Sequence, residues 1–235
     1  MSLVINNLAI EVVKKQVKNL NLSVHAPDGR VKLSVPHHIK GDEIRSFVTS
    51  KLPWIRKQQR KIEQRIPRDS VAPPEYIDVE SHFFIGEKYP LKVVEEPTEK
   101  QRMEIDENRE MVMFVQPGKD RTIRLKIMKE FYRATLKQMI PVLVAKWEPI
   151  MGVKVQEWGV KQMKTRWGTC NPKERRVWLN LELGKHSAGC LEYIVVHEMI
   201  HLMERKHSQR FYQLMDEFLP DWKERKEELS ESLYQ

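Results

Sequence analysis

Tyr193-Ile194-Val195-Val196-His197-Glu198-Met199-Ile200-His201-Leu202-Met203-Glu204-Arg205-Lys206-His207 places H-E-x-x-H on an apolar run long enough to form a buried helix. At about 100° per residue, His197 and His201 fall within about 40° of each other, and Glu198 lies about 60° further round. Val195, Val196, Met199, Ile200, Leu202 and Met203 cover the opposite arc, so the helix can bury its back while the imidazoles face a cleft. Two imidazoles and a carboxylate on one face read as a zinc site that carries its own base, and such a site needs a third protein ligand.

His207 is the candidate, but a continuous helix would turn it about 240° away from His201. The helix must therefore end before it. No Gly stands in the gap, so one residue between Met203 and Lys206 is expected to take the left-handed conformation, at a cost of about 1–2 kcal/mol. Ser208 follows as an N-cap for a short helix whose Phe211, Leu214, Met215 and Phe218 return to the core before Pro220. The competing reading is a core helix with accidental histidines. It requires the matched Glu, the apolar backing and the third His to coincide by chance.

The remaining composition narrows the class. The chain has 235 residues, and its two cysteines, Cys170 and Cys190, are too few for a disulfide framework or a paired C-x-x-C zinc ribbon. The N-terminus has no basic and apolar leader pattern, and no apolar run approaches the ~20 residues of a membrane span, so the expected location is the cytoplasm. The net charge of +8 gathers in two amphipathic segments. One contains Lys51, Arg56, Lys57, Arg60, Lys61, Arg65 and Arg68, and the other Lys119, Arg121, Arg124, Lys126, Lys129, Arg133 and Lys137. Each reads either as the solvated face of a helix or as a contact for nucleic acid or another polyanion.

In chain order, Leu20, Leu22 and Val24, the turn Pro27-Asp28-Gly29, and Val31, Leu33 and Val35 predict a β-hairpin with one buried face. Asp42 is expected to cap a helix that Pro53 kinks or restarts near Ser50, with Trp54 packed at the joint. Pro67 to Pro74 reads as a linker or long loop, and strands follow over 82–94 and 110–115, giving a sheet expected to be antiparallel. A helix runs from Asp120 to about Trp147 with an awkward Pro141. No internal repeat is visible. The division suggested is a β-rich region with a basic helix over residues 1–118 and a domain carrying the histidines over 119–235.

A second hairpin is predicted from 162–170 and 176–183 around the turn Asn171-Pro172. In its return strand Val177, Leu179, Leu181 and Leu183 face the core, which turns Trp178, Asn180 and Glu182 the other way, where they could line the cleft.

His197-Glu198-Met199-Ile200-His201 with its gap to His207-Ser208, together with Thr165-Arg166-Trp167-Gly168-Thr169-Cys170, resembles the YgjP-like metallopeptidases, close to the SprT-like zincins. The resemblance implies an α+β zincin-like fold, in which an active-site helix packs on a small antiparallel sheet behind a hairpin-rich N-terminal part. It also implies His197, His201 and His207 as zinc ligands and Glu198 as the base. Lys206 stands where the family commonly has Asn, and Thr169 where it has Ser. On this reading a water in the open zinc position loses its proton to Glu198 and attacks a peptide carbonyl. Arg166 is a candidate for steadying the oxyanion or else a structural Arg, Trp167 either packs or touches substrate, and Asn180 is a further candidate substrate contact. Two alternatives stay open: hydrolysis of a nucleotide phosphoanhydride by the same metal site, and a protein- or nucleic-acid-binding module with a structural metal.

Overall fold

Alternating apolar residues in the first 35 positions form a small sheet that a single amphipathic helix covers. The computed structural model describes residues 2–6, 8–25, 28–63, 73–97 and 100–231. These fall into two units, Met1–Pro73 and Pro74–Gln235. The division lies inside the expected linker, most of which is outside the described residues, and not near residue 118. The strands of residues 81–115 therefore belong with the histidine-bearing part.

In the first unit, β1 (Ser2–Ile5), β2 (Leu8–Lys14), β3 (Asn21–His25) and β4 (Arg30–Val35) form a sheet of order β1-β2-β4-β3. The expected hairpin is β3–β4, with Leu22 opposite Leu33 and Val24 opposite Val31. Ile10, Val12, Val31, Leu33 and Val35 meet Ile44, Val48, Leu52 and Ile55 of helix α1 (Gly41–Glu63) in one buried cluster. Asp42 sits within the first turn of α1 and is not its cap. The helix continues through Pro53 without restarting. Pro53 and Thr49, whose carbonyl loses its donor, both lie on the exposed side, where solvent can satisfy that oxygen. Ser50 is likewise within the helix, its hydroxyl donating to the Phe47 carbonyl at 2.7 Å, and Trp54 is 42% exposed and not packed at a joint.

The second unit opens with β5 (Ser81–Phe84), β6 (Glu87–Glu95), β7 (Arg102–Ile105) and β8 (Met111–Val115), ordered β5-β6-β8-β7. Helix α2 (Arg121–Met151) follows, with the Asp120 side chain accepting from the Ile123 amide. Both sheets contain an antiparallel hairpin, a parallel central pair (β2 with β4, β6 with β8) and an antiparallel outer pair, and both lead into a helix. The chain therefore contains a ββββα unit twice, contrary to the expectation of no repeat. Its sheets are mixed, not antiparallel. In each unit the last strand returns between its two predecessors, a topology that alternation alone does not reveal.

Beyond α2, β9 (Glu157–Lys161) pairs in parallel with β11 (Arg176–Asn180), which pairs antiparallel with β10 (Gly168–Asn171). Val177, Leu179, Leu181 and Leu183 are all buried as expected, but residues Leu181–Lys185 form a 3₁₀ turn and not a continuation of the strand. Then come α3 (Ala188–Ile200), α4 (Gln209–Phe218) and α5 (Trp222–Glu231). The start of α3 is tightly held. Ser187 caps it by accepting from the Cys190 amide, and the β5–β6 turn donates from Ile85 and Gly86 amides to the Gly184 and Lys185 carbonyls at 3.0 and 3.1 Å. Gly86 has φ 87°, and a Cβ there would come within 3.0 Å of Ser187. Further along α3, Glu192 receives Lys146 and Trp147 from α2 and Arg225 from α5, at 2.6, 3.0 and 2.6 Å. This braces two helices, α2 and α5, against the one that carries the histidines. Among the described residues, no helix is long and apolar enough to cross a membrane.

Candidate metal centre

The apolar run of α3 is buried almost throughout, while His197 reaches the surface of the core and Glu198 stays 6% exposed. Helix α3 ends at Ile200, and His201 is its C-cap with φ −63°. The Leu202, Met203 and Glu204 amides then donate to the Met199, Ile200 and Ile200 carbonyls, winding the chain into one tight right-handed turn. No residue from Met203 to Lys206 has a positive φ, so the expected left-handed residue is absent. Short hydrogen-bonded turns reverse the chain without it. Ser208 caps α4 by accepting from the Phe211 amide, and this places His207 just ahead of the helix.

The three imidazoles converge. Their candidate ligand atoms all lie within 4.8 Å of one another, and the Nε2 atoms of His197 and His207 are 3.0 Å apart. A tetrahedral ion of zinc's size, with bonds of about 2.0–2.1 Å to nitrogen, needs nitrogens about 3.3 Å apart, so the donor set fits such an ion with little movement. His201 donates from Nδ1 to the Glu204 carbonyl at 3.0 Å, which leaves Nε2 as its free lone pair. Among the described residues this is the only cluster of three or more His, Cys, Asp or Glu side chains placed to share an ion. Burial, with the neighbouring imidazoles adding to it, pushes His197 down to about 3, and burial lowers His207 as well, so both favour the neutral form that a metal requires.

Aromatic rings fix the cluster from behind. Fully buried Phe211 packs its ring 4.7–4.9 Å from all three imidazoles, Tyr193 meets His197 edge-on at 5.9 Å, and Trp222 stacks on both Tyr193 and Tyr212. Phe211 was legible from sequence as a core residue. Its position as the common floor under three imidazoles was not, because that depends on how the turn at 201–206 folds back.

Glu198 lies against β10. A Cβ added to Gly168 would fall 2.7 Å from the Glu198 Cγ and Oε1, so at this position only a residue without a side chain leaves the carboxylate its place. Burial pushes the Glu198 carboxyl up to about 8, while the charge of Arg166 pulls the other way. Arg166 itself is exposed. Trp167 is half-buried and meets His186 edge-on at 4.8 Å. Asn180 is 4% exposed, and its amide is used on backbone: it accepts from the Met163 and Glu182 amides and donates to the Met163 and Arg166 carbonyls. The structure thus places Asn180 as the anchor of the 163–167 loop, with Arg166 and Trp167 on the loop it holds. Cys170 and Cys190 are free thiols, and burial raises Cys170 to about 12.

No curated protein matches this chain. Two solved structures are similar to part of this chain: the metallopeptidase zymogen of Pyrococcus abyssi abylysin, at 19% identity over 40% of this chain and 94% of that one, with TM-score 0.37, and that of Methanocaldococcus jannaschii jannalysin, at 19% identity over 40% and 96%, with TM-score 0.36. The YgjP-like metallopeptidase domain matches residues 18–232, which span both units and the whole histidine cluster, and the chain accordingly belongs to this family of metal-dependent hydrolases.

Proposed function

We propose that the protein is a zinc peptidase in which His197, His201 and His207 hold the ion and Glu198 handles the protons of peptide-bond hydrolysis. The observation that carries this reading is the convergence of three imidazoles beside a carboxylate that Gly168 allows to sit against β10. Zn²⁺, when bound, supplies a Lewis acid that acidifies water and polarises a carbonyl. The protein supplies the rest. The Glu204 carbonyl orients His201, and Phe211 and Tyr193 limit rotation of the rings, so the donors are held in place before the ion arrives. Glu198 takes a proton from the attacking water and returns it to the leaving amine; burial raises its proton affinity towards the range where both transfers are possible near neutral pH. Arg166 is positioned by the Asn180-held loop to face developing negative charge, and the outer edge of β10 offers extended backbone to a peptide.

The test is Glu198→Gln. The amide keeps the size of the side chain but cannot accept a proton. Zinc content and melting temperature should stay near those of the parent, while hydrolysis of a casein or fluorogenic peptide substrate should fall about 10²–10⁴-fold. Retention of most of the rate would remove Glu198 from the mechanism.

A further inference from the structure

The net charge is not shared between the two units. Residues 1–73 hold 14 Lys and Arg against six Asp and Glu, whereas residues 74–235 hold 27 of each, so the whole +8 belongs to the first unit. The arginines of the basic run around α2 are paired: Arg121, Arg124 and Arg133 meet Glu75, Glu95 and Glu130 at 3.7, 3.3 and 3.3 Å. The basic residues of α1 are different. Lys51, Arg56, Lys57 and Arg60 are exposed, and among the described residues none makes an ion pair.

The duplicated unit sharpens the contrast. Helix α2 buries a second stripe, Met128, Tyr132, Leu136 and Ile140, in the core that also holds α3, and Tyr132 lies directly against Gly184. Helix α1 buries only the stripe that faces its own sheet. Trp54 is the one large apolar side chain of α1 that is exposed among the described residues, and Lys51 and Lys57, three residues to either side, each lie within about 60° of that indole on the helix surface. Arg60 follows Lys57 by a further step of about 60°. An exposed indole flanked by unpaired cations offers both a stacking platform and phosphate contacts. A membrane surface would need an apolar stripe, and the stripe of α1 is already covered.

We propose that the outer face of α1 binds single-stranded nucleic acid, with Trp54 stacked on a base and Lys51, Lys57 and Arg60 on neighbouring phosphates. The site lies on the first unit and the metal centre on the second, and its binding does not depend on peptidase activity.

The experiment titrates a fluorescein-labelled oligothymidylate of about 20 nucleotides into the full-length, zinc-loaded chain at low salt and follows anisotropy. Binding should saturate, and its logarithm should fall with the logarithm of salt concentration with a slope of about −2, as expected for three phosphates on a single strand. Trp54→Ala should weaken binding about 5- to 150-fold with the slope little changed. Lys57→Glu with Arg60→Glu should flatten the slope, and Trp54→Phe, which keeps a ring, should retain most of the affinity. All four side chains are exposed, so the variants should melt with the parent; if Trp54→Ala does not, the charge variants and Trp54→Phe decide. The proposal is overturned by absence of binding at low salt, by variants that bind as the parent does, by a duplex binding as tightly as the single strand, or by binding to polyglutamate or anionic vesicles in place of the oligonucleotide.

Discussion

Gly168→Ala should disable the protein by displacing Glu198 while leaving the metal ligands untouched. The added Cβ would sit 2.7 Å from the Glu198 Cγ and Oε1 and 2.9 Å from its Cδ, whereas carbon atoms in ordinary contact are about 3.5–4.0 Å apart. Relief requires a movement of about 1 Å. Gly168 lies in a strand with its backbone paired to Leu179, whereas the atoms it would strike belong to a side chain, so the carboxylate is the part that gives way. Overpacking of this kind costs about 1–3 kcal/mol of stability. The effect on rate should be larger, because misplacing a catalytic group by about 1 Å costs on the order of 10²-fold. The assay compares kcat/KM on a fluorogenic peptide, zinc content by metal analysis and Tm for the parent, Gly168→Ala, Glu198→Gln and the double variant. Zinc should remain stoichiometric in all four. Since both changes act on one carboxylate, the double variant should be little slower than Glu198→Gln alone. Losses that multiply would show that Gly168 acts through something other than Glu198, and a Gly168→Ala enzyme of parental activity would refute the packing argument outright.

His207→Ala should weaken zinc binding nearly as much as His201→Ala, as competition with a chelating dye would show, because the three nitrogens surround one point. Asn180→Ala should lower stability by about 2–4 kcal/mol, since buried backbone groups of the 163–167 loop lose their partners, and calorimetry should detect it together with a rise in KM. His186 is buried and held down to about 4, below its ordinary value of 6.5, so an unfolded chain takes up a proton that the folded one refuses in that interval. Stability should therefore be unaffected by this residue above pH of about 6.5 and fall by up to about 3 kcal/mol as pH drops to about 4. His186→Gln should flatten that part of the curve in denaturant titrations, and an unchanged pH dependence would show that His186 is not responsible for it.

The sequence carried the helix, its charged face and the cap at Ser208, because these depend on spacing within about a dozen residues. It also carried the hairpin β3–β4 and the core residues of β11. What it hid was long-range. The parallel pairs of β2 with β4 and β6 with β8 join strands whose own patterns are those of any half-buried strand. The repeat was obscured because the two copies share topology, while their helices differ in length and in what they bury. Pro53 looked like a break, yet it lies on an exposed face where the lost hydrogen bond is cheap. Gly168 was read only as one letter of a hairpin motif; its reason lies 30 residues further on, in a side chain of another element.

The turn after His201 has an implication for how such sites diverge. None of its residues needs a positive φ, and the hydrogen bond that orients His201 comes from the backbone of Glu204 and not from a side chain. Positions 205 and 206, which are exposed, can therefore exchange residues widely, provided that the length and right-handed winding of the turn are kept, whereas Leu202 and Met203 are held by their packing against the core. A lengthening or shortening by one residue would instead rotate His207 off the shared point. Distant descendants of this site should be traceable by the interval between their second and third histidines even after the exposed letters between them have changed.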